Sequence, residues 1–217
     1  MKRSVVVSLL LVAAAGLFAQ DITLSKPPAK LGIDVMDAIR MRNASRTFVA
    51  REVPVADLSA IVWAGNGLKD MPDAMSAASK AASTIPISGD VNYINLYVLT
   101  AKGAYKFLPD KGVLHQVASS DVRASVTPEA IATASLMVLL TADTTKAPSF
   151  MKSMPALFHD VANGSASYAA ENMGLVAAGL KLSSIVMYNL KPDGVMSALK
   201  LPKEESPICI LQVGYTK

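Results

Sequence analysis

Apolar residues fall at helical spacing twice in the first third of the chain. Val35, Ala38, Ile39 and Arg42 share one side of DVMDAIRMR, which predicts a short amphipathic helix over 34–42. In VPVADLSAIVWAGNGL, Leu58, Ile61 and Val62 face one way, and Gly65 and Gly67 stop the helix. The period then changes. YINLYVLT alternates and is β-rich, and GAYKFLPDKGVLHQVA has the form of two strands joined around Pro109-Asp110-Lys111-Gly112, so residues 93–117 predict a small meander. ASLMVLLTAD is almost continuously apolar, the pattern of a strand buried on both faces. Residues 164–182 predict a long Ala-rich helix, SSIVMY a strand, DGVMSALKL a helix and ICILQVGY a last strand. Residues 21–32, with Pro27 and Pro28, read as an extended lead-in, and residues 69–90 as a long loop or irregular helix. Helices and strands mix without a strict βαβ rhythm, so the class is α+β.

Composition leaves that picture standing. Of 217 residues, 52% are hydrophobic and 18% charged, which suits one globular domain with a sizeable core rather than a disordered chain. The N-terminus stands apart. Lys2 and Arg3 precede an apolar stretch from Val5 to Phe18, followed by small and polar residues. This reads as a secretory signal peptide, residues 1–20, with cleavage after Ala19 and a single domain over 21–217. The stretch is short of the about 20 apolar residues that a membrane span needs, and no cysteine follows it to carry lipid. The expectation is a periplasmic or secreted protein without a stable membrane anchor. Loss of Lys2 and Arg3 lowers the formal charge from +4 to +2, and nucleic acid loses its support as a partner. The single cysteine, Cys209, lies in an apolar strand pattern where nothing nearby would activate a thiol.

The motifs of several catalytic classes are missing: no G-x-G-x-x-G, P-loop, C-x-x-C, H-E-x-x-H or G-x-S-x-G is present. His115, on a presumed strand, and His159, in a loop or helix start, read as solvated surface residues. Glu204 and Glu205, after Pro202, read as a solvated loop, and Trp63 as core packing. MRNASRTF, residues 41–48, places Arg42 and Arg46 four apart beyond a helix end. Two guanidiniums so placed can grip phosphate oxygens by charge-assisted hydrogen bonds, with Asn43 and Ser45 as neutral donors. They can equally cap the helix and lie in solvent.

RNASRTF, VPVADLSAIVWAGNGL, TIP ahead of INLYVLT, the hairpin GAYKFLPDKGVLHQV, DVR, ENMGLVAAGLKLSSI and the final QVGYTK occur in an order that resembles the nitroreductase family of FMN-dependent NAD(P)H oxidoreductases. The resemblance runs over about residues 34–217. It implies a three-layer sandwich, a central mixed sheet flanked by helices, in a homodimer with FMN at the subunit interface. Arg42, Asn43 and Arg46 match phosphate-binding positions, and Ala44 stands where many members carry serine. Pro86, Ile87, Ser88, Asp90 and Asn92 match the segment beside the flavin ring, and Lys217 at best represents a closing basic pair.

Departures from the family pattern accumulate. Ile87 replaces a serine, Asp90 an asparagine and Asn92 a glutamine; Glu171 replaces a glutamine, Ser167 a glycine, and Lys181 and Ser183 two glycines. An ionised Asp90 near reduced flavin lowers its reduction potential by charge repulsion. No catalytic residue is assigned, because in such a flavoenzyme the protein binds, orients and tunes the cofactor. The implied function is an exported FMN-dependent oxidoreductase that passes electrons from NAD(P)H, or from another donor outside the cytoplasm, to a nitroaromatic, quinone or similar acceptor. The alternatives are a degenerate relative that binds a flavin or another phosphate-bearing small molecule without turnover, and a structural dimer without ligand.

Overall fold

The computed structural model of the chain describes residues 20–69, 83–89, 91–127 and 134–217. The predicted signal peptide, except for Gln20, and most of the 69–90 segment lie outside the described residues. Seven strands form one sheet in the order β1-β4-β3-β2-β5-β7-β6. They are β1 (Ile22–Thr23), β2 (Ile94–Thr100), β3 (Gly103–Leu108), β4 (Val113–Ala118), β5 (Leu136–Asp143), β6 (Ser183–Met187) and β7 (Glu205–Gly214). The helices are α1 (Val35–Met41), α2 (Val55–Asn66), the single turn α3 (Arg123–Val126), α4 (Pro155–Gly179) and α5 (Pro192–Leu199). The α+β class and the sandwich are as the sequence implies.

The sheet differs from expectation in one respect. Every pairing is antiparallel, where a mixed sheet was implied. The crossover through α4 brings β6 back in the direction of β5, but β7 inserts between them and pairs antiparallel with each. The potential parallel pair never forms. β1 arises from the lead-in and closes the far edge against β4.

Strand alternation divides the core in two. Leu96, Val98, Val138, Leu140 and Leu211 join Leu58, Ile61 and Val62 of α2 and Phe158, Ala166 and Met173 of α4. Tyr97, Leu99, Met137, Leu139 and Ile210 meet Val122, Val126, Val195 and Leu199 on the opposite face. Both faces of β5 are therefore covered, which explains its unbroken apolar run.

Two helix boundaries move. α2 runs through Gly65 and ends at Gly67; a Cβ on residue 65 would stand 2.7 Å from Met173 Sδ, so Gly65 allows α2 and α4 to approach closely rather than stopping the helix. α4 starts at Pro155, well before residue 164, because Pro155 supplies a pre-set first-turn φ where no apolar periodicity announces a helix. Glu205 corrects the reading of a solvated acidic pair. It is 3% exposed, because β7 begins there and strand alternation turns its side chain inward. Its carboxylate accepts hydrogen bonds from Asn95 Nδ2 at 2.9 Å and from the Thr141 hydroxyl, with Lys106 Nζ at 3.7 Å.

Candidate functional site

The arginine segment is positioned from both ends. Asp34 caps α1, accepting from the Asp37 N–H at 2.8 Å, and the Arg42 N–H closes the helix on the Ala38 carbonyl. The chain then turns away from the helix. The Asn43 carbonyl accepts from the Ser184 N–H at 3.3 Å, which ties the segment to the start of β6. Ser45 Oγ donates to the Thr47 carbonyl at 2.9 Å and accepts from its N–H at 3.2 Å, so that hydroxyl shapes the turn. Farther on, Phe48 packs over Gly214, Val49 N–H donates to the Tyr215 carbonyl at 2.8 Å, and the Arg51 guanidinium lies 3.9 Å above the Tyr215 ring.

Arg42, Asn43, Ala44 and Arg46 are all exposed. Arg42 runs along α4 over Gly174, where a Cβ would come within 3.7 Å of Arg42 Cδ, and its Nε lies 3.3 Å from Glu171 Oε1. The Thr216 hydroxyl is 3.4 Å from that of Ser183, so the exposed C-terminal residue Lys217 follows directly on the strand edge to which Asn43 is tied. The structure thus brings Arg42 and Asn43 together with the ends of β6 and β7.

The second predicted segment is braced by α2 and α4. Thr84 Oγ1 donates to the Trp63 carbonyl at 3.0 Å, and Asn172 Nδ2 donates to the carbonyls of Ala64 and Thr84, each at 3.3 Å. Ser165 Oγ donates to the Pro86 carbonyl at 3.1 Å and lies 3.0 Å from the Tyr93 hydroxyl, which accepts from the Ser88 N–H at 3.3 Å. Tyr93 is fully buried and meets the Phe158 ring edge-on at 5.2 Å. Pro86 is exposed, Ile87 and Ser88 are half-buried, and Asp90 lies outside the described residues. Asn92 serves the interior: its Oδ1 accepts from Ile94 N–H at 2.9 Å and its Nδ2 donates to Asn66 Oδ1.

Three residues of this brace escaped the sequence reading as site residues: Tyr93, Ser165 and Asn172. Asn172 lies within the ENMG motif and so carried a signal, whereas Ser165 sits in an Ala/Ser-rich run with nothing to distinguish it. A cavity of about 290 Å³, walled by Ala147, Met151, Phe158 and Ala162 with Lys152 and Asn163 among its lining, adjoins the brace. Phe158 links it to Tyr93, and Pro148, next to Ala147, meets Gly89.

Of the remaining candidates, Cys209 and His115 stay apart from this region, whereas His159 lines the cavity and the Trp63 carbonyl belongs to the brace. Burial pushes the Cys209 thiol up to about 12, which leaves it protonated and inert. His115 is exposed on β4 beside Asp21 at 3.0 Å, and His159 is exposed in the second turn of α4. Trp63 is half-buried and donates its indole N–H to the Leu68 carbonyl at 2.8 Å. Among the described residues, no helix is long and apolar enough to cross a membrane.

Comparison with known proteins bears on the whole architecture. The chain, over 100% of its length, superposes on 99% of a candidate nitroreductase from Ralstonia eutropha JMP134 at 24% identity with a TM-score of 0.78. It also matches a nitroreductase family protein from Clostridium difficile 630 at 18% identity and a TM-score of 0.59, covering 85% of this chain and 86% of that one. A candidate nitroreductase from Anabaena variabilis ATCC 29413 matches at 17% identity with a TM-score of 0.73; 93% of this chain aligns with only 42% of that longer chain. At these identities the likeness speaks for the fold. A search of curated protein sequences gives no match. The profile of the Nitroreductase family matches residues 39–215, most of the chain. The chain belongs to the nitroreductase family.

Proposed function

We propose that the protein is an exported, homodimeric, FMN-dependent oxidoreductase that takes electrons from NAD(P)H or another donor and reduces nitroaromatic, quinone or similar small acceptors. Membership in the nitroreductase family supports the oxidoreductase class. The observation that carries the finer reading is the anchoring of Asn43 on β6, which leaves Arg42 and Arg46 exposed at one edge of the sheet.

The residues present fit an anionic tail. Arg42 and Arg46 can each donate charge-assisted hydrogen bonds to phosphate oxygens, with Lys217 as a further cation near the strand end. On the ring side the fit is through shape more than polar grip. Pro86 and Ile87 offer an apolar edge, while the Ser88 N–H and both polar ends of Asn92 are engaged within the chain.

Bound FMN supplies the two-electron redox chemistry. This chain's residues position and shield. The Tyr93–Ser165 pair fixes the Pro86–Ser88 backbone against α4, so a ring resting there meets a rigid wall. The adjoining cavity, with its apolar wall of Met151, Phe158 and Ala162, is the space assigned to the acceptor. α1 exposes Val35, Met36 and Ile39 at 64%, 52% and 51%. So many apolar side chains on one short helix support a second copy as the partner.

A second reading, a flavin binder without turnover, is favoured by the engagement of Asn92 and by the Glu171 carboxylate on Arg42. Flavin titration of the purified full chain tests the proposal. FMN should bind, and NADH or NADPH should bleach the flavin band anaerobically; binding without bleaching selects the second reading. Replacing Arg42 and Arg46 with alanine should weaken FMN binding by about 2 kcal/mol or more. Unchanged affinity removes the phosphate assignment.

A further inference from the structure

We infer that Glu171 determines specificity for the ligand's tail: it competes with the phosphate for Arg42 and so narrows the preference of the site for a phosphorylated over an unphosphorylated flavin. This rests on the flavin reading above and goes beyond it. Glu171 and Gly174 are one turn apart on α4, on the face along which Arg42 lies. A Cβ at residue 174 would stand 3.7 Å from Arg42 Cδ, in ordinary contact, so the Arg42 stem runs against this face of the helix and its Nε lies 3.3 Å from the Glu171 carboxylate. α4 is a helix of 25 residues, and Asn43 is tied to β6, so neither backbone can retreat to relieve this encounter.

The Arg42 and Glu171 side chains are 40% and 56% exposed, and a pair so solvated contributes little to folding. Its effect falls instead on the ligand. A dianion drawn to Arg42 meets a second anion at the same guanidinium. It must displace the carboxylate or bear its repulsion, and either course weakens binding. A tail without charge pays no such penalty. Arg46, exposed and without an ion pair among the described residues, remains open to phosphate.

The test is fluorescence titration of the full chain with FMN and with riboflavin, for the wild type and for Glu171→Gln. The variant keeps side-chain length and removes the charge at an exposed position, so circular dichroism should be unchanged. FMN should bind about tenfold more tightly to the variant, with riboflavin affinity unmoved. In an Arg42→Ala background the gain should shrink, because the competition acts through that guanidinium. Equal shifts for both flavins, no shift for either, or a gain kept in full without Arg42 overturns the inference while leaving the flavin reading intact. Failure of the wild type and the variant to bind either flavin overturns the flavin reading, and the inference falls with it.

Discussion

Single residues in this protein carry burdens that the chain's composition hides. Lys181 is the clearest. α4 ends in a turn in which the Leu182 N–H donates to the Ala177 carbonyl at 2.8 Å and the Lys181 N–H to that of Ala178 at 2.9 Å. This geometry places Lys181 at φ +61°, a left-handed conformation that glycine adopts without strain and a residue with a Cβ does not. The resemblance put a glycine at this position, and the backbone still has the shape that glycine suits. Lys181→Gly should therefore stabilise the fold by about 1 kcal/mol, read as a higher urea midpoint with an unchanged m-value. A lower midpoint would show that the lysine side chain contributes more than its backbone costs. Glu205 makes the converse point: a single step of strand alternation separates a solvated carboxylate from one buried against Asn95 and Thr141.

At the scale of elements, the attachment of α3 depends on charge. Arg123 donates to Asp121 through Nε at 2.9 Å and Nη2 at 2.6 Å, and its Nη1 donates to the Ala134 carbonyl. The Arg123 side chain holds the Asp121 carboxyl below its ordinary value of 3.8. A depressed carboxyl stabilises the folded state fully above the unfolded value, and the contribution is lost as pH falls through the folded one. Acidification below about pH 4 should accordingly destabilise the wild type more than Asp121→Asn, whose loss relative to wild type at pH 7 should vanish toward pH 2. Parallel stability curves for the two proteins over that range would remove Asp121 from the acid response. The brace formed by Tyr93, Ser165 and Asn172 is another assembly of this kind, joining a loop to two helices through contacts between residues up to 108 apart in sequence.

For the whole molecule, the question is what covers α1. Val35, Met36, Ile39 and Met41 are exposed along it, and it immediately precedes the arginine segment. A homodimer that buries this helix couples assembly to the candidate site. Ile39→Asp should then shift sedimentation from dimer to monomer and weaken FMN binding at least tenfold at micromolar protein. A wild-type monomer that binds flavin as tightly as any variant would show that each chain builds its site alone.

Much of the fold was legible because local pattern and tertiary role agree. The Pro-Asp-Lys-Gly turn and the apolar run of β5 each state their own environment, since turn chemistry and burial are written into the side chains. The alternation read in YINLYVLT, by contrast, understates the burial of β2, which sends Leu96 and Val98 into one core and Tyr97 and Leu99 into the other. The order of motifs from RNASRTF to QVGYTK likewise pointed to the family. The sequence could not say which carbonyl Ser184 would meet, that Asn92 would turn to Asn66, or that Glu171 would face Arg42, because residues far apart in sequence become partners only when strands and helices pack. Nor could it reveal that β7 would separate β5 from β6, since local pattern names a strand but not its neighbours. The chain by itself determined most of its strands and helices; only the packing of those elements decided which faces are covered and the partners of its charged groups, because burial and ion pairing act over a few ångströms and depend on where side chains end in space.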